Sequence, residues 1–76
     1  MDLLEQVSDA LAKDVLKAVD ATGDEDLVEE IKKTIGASST TLEEAFMTAV
    51  RIRRAEARGR KQLAQLVKKK AQDLQG

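Results

Sequence analysis

The chain has 76 residues, with 13 Lys and Arg against 14 Asp and Glu; 42% of residues are hydrophobic, 11 of them alanine, and Trp, Tyr, His, Cys and Pro are absent. That length bounds it to one small helical domain, residues 1–76, because a core needs most of these residues to close. The missing side chains exclude thiolate nucleophiles, disulfides, zinc fingers, histidine acid–base pairs and imidazole metal sites, and a single Phe leaves nothing for single-stranded bases to stack on.

The net charge of −1 conceals a division. Residues 1–50 carry 4 Lys/Arg against 12 Asp/Glu, net −8, while residues 51–76 carry 9 against 2, net +7. Such separation points to a basic segment that meets phosphate or acidic protein, or to two halves that attract each other within or between chains. Met1 and Asp2 form no basic leader and no apolar run approaches the roughly 20 residues that span a bilayer. The expectation is a soluble, cytoplasmic protein.

Residues 2–21 place Leu4, Val7, Leu11, Val15 and Ala18 on one face at three- and four-residue steps, widened by Leu3, Leu16 and Val19, which predicts a first helix. Asp9 before Lys13 predicts an i,i+4 pair, and Thr22-Gly23 predicts a left-handed C-terminal cap. A second helix over 25–35 follows. Asp24 is its expected N-cap, Glu25, Asp26, Lys32 and Lys33 suit its dipole, Leu27, Val28, Ile31 and Ile35 form its apolar face, and Gly36 stops it.

Overlapping capping boxes, Thr40 with Glu43 and Thr41 with Glu44, predict a third helix over 41–74. Leu42, Ala45, Phe46, Ala49, Val50 and Ile52 are its expected buried face, with Phe46 near the centre of the core. Gly59 is the point where this helix could end. Nothing after it can start a new one, whereas a glycine inside a helix costs only about 1 kcal/mol relative to alanine. The stripe Ala45, Ala49, Ile52, Ala55, Gly59, Leu63 and Leu66 keeps its phase through the glycine, so continuity is expected. A helix of about 50 Å outruns partners of about 30 and 18 Å at 1.5 Å per residue. The fold expected is therefore all-α: a short N-terminal helical hairpin packed on a long C-terminal helix, and dimeric. Leu63, Leu66, Val67 and Leu74 would be left as an apolar stripe for a second copy or another protein.

The pattern Ile31-x-x-x-Ile35-Gly36-Ala37-Ser38-x-x-Thr41-Leu42-x-x-Ala45 resembles the helix-turn-helix of DNA-binding regulators, with a Gly-containing turn and a small polar residue opening the second helix. The resemblance covers about 15 residues and implies major-groove contact by Ser38, Ser39, Thr40, Glu43 and Glu44. Two carboxylates beside a polyanion oppose that contact unless one reads a cytosine amino group, and Lys32 stands where such motifs pack a small residue. Two bundle helices joined by a capped turn produce the same spacing.

Arg51, Arg53, Arg54, Arg58, Arg60, Lys61, Lys68, Lys69 and Lys70 form a basic surface around the third helix. Phosphate contact, ordinary solvation with long stems over apolar surface, and pairing with the acidic helices of another subunit all fit this pattern. Membrane-surface binding lacks an aromatic anchor. The acidic run from Asp20 fails the calcium-loop pattern, with Glu25 where glycine is needed and Ile31 where a bidentate glutamate belongs. Adjacent Glu43 and Glu44 diverge by about 100° on a helix and make no paired-carboxylate site, and the glycines are too scattered for a phosphate loop.

These readings converge on a non-enzymatic regulatory or adaptor protein without cofactor or metal. It would act by protein–protein binding or self-association through the long basic helix, toward an acidic partner. The alternative is a DNA-binding regulator using the pair 25–35 and 41–50 or the basic helix.

Overall fold

Small-residue spacing and caps decide how three helices form and where they meet. A computed structural model describes residues 1–75, and within them the order is α1 (Leu3–Thr22), α2 (Asp26–Gly36) and α3 (Thr40–Gln75). The first helix opens on Asp2, whose carboxylate accepts from the Glu5 N–H at 2.8 Å, satisfying one of the orphan donors at a helix start. It closes on Gly23, the one described residue with positive φ, at 74°, where the Gly23 N–H donates to the Val19 carbonyl. Asp24 then accepts from the Asp26 N–H at 3.0 Å, a local turn that leads into α2.

The stop after α2 works differently from the sequence expectation. Gly36 stays out of the left-handed region, and the helix ends as the N–H groups of Ser38 and Ser39 both donate to the Ile35 carbonyl. The space beside the Gly36 α-carbon is taken by the end of the Glu43 side chain, which lies against it. The next cap is also displaced. Ser39, not Thr40 or Thr41, receives the Leu42 N–H on its hydroxyl at 3.0 Å, so α3 starts one residue early. Placing the cap one residue upstream puts Leu42 at the third helical position, where the expected box needs a glutamate.

The core is Ala12, Val15 and Val19 of α1, Val28 of α2, and Phe46, Ala49 and Val50 of α3, with Leu11, Leu16, Leu27, Ile31, Ile35 and Met47 packed around it. Phe46 is fully buried. On α1 the buried face is rotated from the expected one: Ser8 and Ala12 are inside, whereas Leu3, Leu4 and Val7 are exposed. Ala12 joins Ala49 in the core, and Ser8 stays satisfied by donating to the Glu5 carbonyl at 3.2 Å. Ile52 likewise leaves the core face, at 63% exposure. Asp9 does not turn to Lys13 but crosses to Arg53.

The third helix runs unbroken through Gly59. Its 36 residues correspond to about 54 Å at 1.5 Å each, close to the longest molecular dimension of 58 Å. The radius of gyration is 16.5 Å, where a compact domain of this size has about 11 Å. The excess comes from one element. Arg53 and Arg54 are the last half-buried residues of α3, and every side chain from Ala55 to Leu74 is exposed. A bundle of three helices thus carries a projecting rod.

Candidate functional site: the projecting helix and its groove

At 100° per residue, Phe46 and Val50 define the core-facing side of α3. Ala45, Thr48, Ala49 and Ile52 fall on an adjacent arc of about 100°, and Gly59, Leu63, Leu66, Val67 and Leu74 fall on that same arc further along. The distal stripe is therefore not a continuation of the core face. It continues the wall of an open groove of about 320 Å³ that Ala45, Thr48, Ala49 and Ile52 share with Met1, Glu5, Ser8 and Asp9 of the N-terminal segment.

Leu63, Leu66, Val67 and Leu74 stand 59, 47, 60 and 89% exposed, outside the core of the described residues. The sequence-predicted apolar residues are thus brought onto one solvent-facing stripe. Gly59 sits in the middle of it, and a Cβ added there would meet nothing within 4 Å.

The nine basic residues divide into two groups. Arg53 makes a two-point contact with Asp9, Nε to Oδ1 at 2.6 Å and Nη2 to Oδ2 at 2.8 Å. Donation from Arg53, outweighing a smaller opposing push from burial, holds the Asp9 carboxyl below its ordinary value; the pairing raises Arg53 in turn. Arg54 donates to Glu25 at 2.8 Å, and Arg60 to Glu56 one turn back at 3.1 Å. Arg53 and Arg54 hold the two N-terminal helices to α3. Arg51, Arg58, Lys61, Lys68, Lys69 and Lys70 are exposed and stand outside the ion pairs of the described residues.

The helix-turn-helix-like segment also has internal duties. Ser39 is occupied as a cap, Glu43 lies over Gly36, and Lys32 is half-buried beside Glu43, Glu44, Met47, Thr48 and Arg51. Ser38, Thr40 and Glu44 remain exposed. Among the described residues no three acidic side chains converge as a cation site, and no helix is long and apolar enough to cross a membrane. What sequence reasoning missed is the groove: Ser8 and Asp9 become wall residues only once α1 is laid against α3, and no spacing within α1 encodes that.

Comparison with protein-family models, with curated proteins and with solved structures finds no match.

Proposed function

We propose that this chain is a non-enzymatic regulatory or adaptor protein that binds another protein through the projecting half of α3. The observation that carries this reading is the unpaired stripe of Leu63, Leu66, Val67 and Leu74 on a helix that leaves its own bundle. An exposed apolar stripe between charged flanks is the usual mark of an interaction surface. The flanking Lys and Arg select an acidic partner, raising the encounter rate and disfavouring basic ones. The stripe supplies the desolvated centre of the interface and the cations its polar rim.

Leu63→Asp with Leu66→Asp tests this directly. These positions lie outside the core, so the bundle keeps its fold, and retention of a synthetic Glu-rich amphipathic helix by the protein should be lost. Unchanged retention, together with unchanged mass by light scattering, would remove the stripe as the interface.

A second reading, binding of duplex DNA, is favoured by the exposed cations Arg58, Lys61, Lys68, Lys69 and Lys70 on the projecting rod, with Arg51 at its base. If several of them neutralise phosphates, log affinity should fall with log salt with a slope of about 0.9 per phosphate. Weak binding at low salt with a flat response would eliminate this reading.

A further inference from the structure

Resting on the reading of the distal helix as a binding surface, we infer that its occupant is a second copy of this chain, docked antiparallel about a two-fold axis at Gly59, with each distal helix lying in the other copy's Met1–Ile52 groove. Three observations lead there.

The first is register. The stripe and the groove wall share one arc of α3, so a single antiparallel alignment can fill both at once. With Gly59 opposite Gly59, Ile52 of one copy meets Leu66 of the other and Ala55 meets Leu63. Residues 67–74 then run along 44–51 of the partner copy, over Ala45, Thr48 and Ala49. Leu66 and Leu63 thereby gain Ile52 and Ala55 as apolar counterparts, Val67 and Leu74 arrive at the levels of Arg51 and Glu44 beside that wall, and a C2 arrangement closes on itself without leaving a free end to propagate.

The second is charge. Pairing two distal helices side by side and in parallel would set Lys68, Lys69 and Lys70 against their own copies, a like-charge contact. The antiparallel alignment separates these clusters and carries each toward the acidic first 50 residues of the other copy, net −8. Lys70, which interrupts the stripe, arrives at the level of Thr48, where the facing wall of the groove carries Glu5. Within one chain the same attraction already operates, as Arg53 meets Asp9 and Arg54 meets Glu25.

The third is Gly59 itself. Glycine is among the least favourable residues in a helix interior, and within one copy nothing crowds this position. A two-fold axis passing there needs two backbones to approach closely, which an absent side chain permits. The distal part of α3 also draws no stability from a packed face within one copy, and burial along this axis would add it.

The test combines sedimentation equilibrium with single-cysteine cross-linking, clean because the described chain has no cysteine of its own. Wild-type protein should sediment at twice the monomer mass in the micromolar range, and Leu63→Asp with Leu66→Asp should return it to the monomer mass with its bundle intact by circular dichroism. Gly59→Cys should form a disulfide-linked dimer under mild oxidation, whereas Lys70→Cys should not, since the antiparallel alignment places the two copies of position 70 far apart. Cross-linking of Lys70→Cys as readily as Gly59→Cys would overturn the antiparallel axis. A wild-type chain that stays monomeric throughout would overturn the second copy as occupant. If that monomer still holds the Glu-rich helix and loses it on the double substitution, the distal helix remains a binding surface for other proteins. A dimer that survives the double substitution would overturn the stripe as the contact between copies, and if the Glu-rich helix is retained as well the binding-surface reading falls with it.

Discussion

Arg53 and Asp9, 44 positions apart, meet through two parallel hydrogen bonds, and this fork fastens α1 to α3 beside the point where the bundle ends. Bidentate geometry fixes direction as well as distance, so the pair aligns the helices more strictly than a single-point contact would. It also marks a division of labour. Up to Arg54 α3 packs one side against the bundle, and from Ala55 to Leu74 all of its side chains face solvent.

Because Arg53 holds Asp9 below the ordinary carboxylate value, the folded state keeps this group ionised where the unfolded chain would protonate it. The contribution is therefore present above the unfolded value of about 3.9 and is lost as pH falls through the lower folded value. Thermal unfolding followed from neutral to strongly acid pH should show a fall in Tm on the acid side. In Asp9→Asn that fall should be shallower and the neutral-pH Tm lower; identical pH profiles would show that the fork does not contribute.

Phe46 is the only aromatic residue and is completely enclosed. Phe46→Ala should cost about 3–5 kcal/mol, against a total of roughly 4–11 kcal/mol for a chain of this size at ~0.05–0.15 kcal/mol per residue. Urea denaturation should show a much lower midpoint or no folded baseline. A loss below about 1 kcal/mol would mean that the cavity collapses freely.

The cap of α3 gives a contrast between neighbours. Ser39→Ala removes the oxygen that receives the Leu42 N–H and should cost about 1 kcal/mol. Thr40→Ala and Thr41→Ala, both exposed, should stay within about 0.5 kcal/mol. Chemical denaturation of the three variants ranks them, and a larger loss at Thr40 or Thr41 would return the cap to the downstream threonines.

Three glycines should respond differently to alanine. At Gly23 the left-handed φ of 74° makes Gly23→Ala destabilising by about 1–2 kcal/mol. Gly36→Ala meets only the far end of the Glu43 side chain, which can swing aside, so its effect should be near neutral. Gly59→Ala, measured at dilutions where copies are separate, should raise helicity by circular dichroism, because alanine is favoured there by about 1 kcal/mol. A stability loss at Gly36 as large as that at Gly23 would show that Glu43 is rigidly held.

Much of the local structure is legible in single segments. Thr22-Gly23 announces the end of α1, and the 3.6-residue spacing of Leu27, Val28, Ile31 and Ile35 announces α2. Continuity through Gly59 follows from the absence of any cap that could restart a helix after it. Such features are legible because caps and periodicity act within about one or two turns of chain. Ser39 escaped notice because four consecutive hydroxyl residues, Ser38 to Thr41, all satisfy the capping rule, and only the turn geometry after Ile35 selects among them.

By itself the order of residues determined three helices, the acidic–basic division and a third helix longer than its partners, since propensity, charge and length are additive along the chain. The apolar faces of α2 and most of α3 are those the spacing predicts, whereas tertiary structure decided which side of α1 is inside and where Ile52 points. Ser8 and Ala12 replaced Leu4 and Val7 in the α1 contact, and Ile52 turned outward to join the distal stripe. The reason is steric: a helix offers several faces of comparable hydrophobicity, and the one that packs is the one that fits the surface of its neighbour. That choice depends on both helices at once.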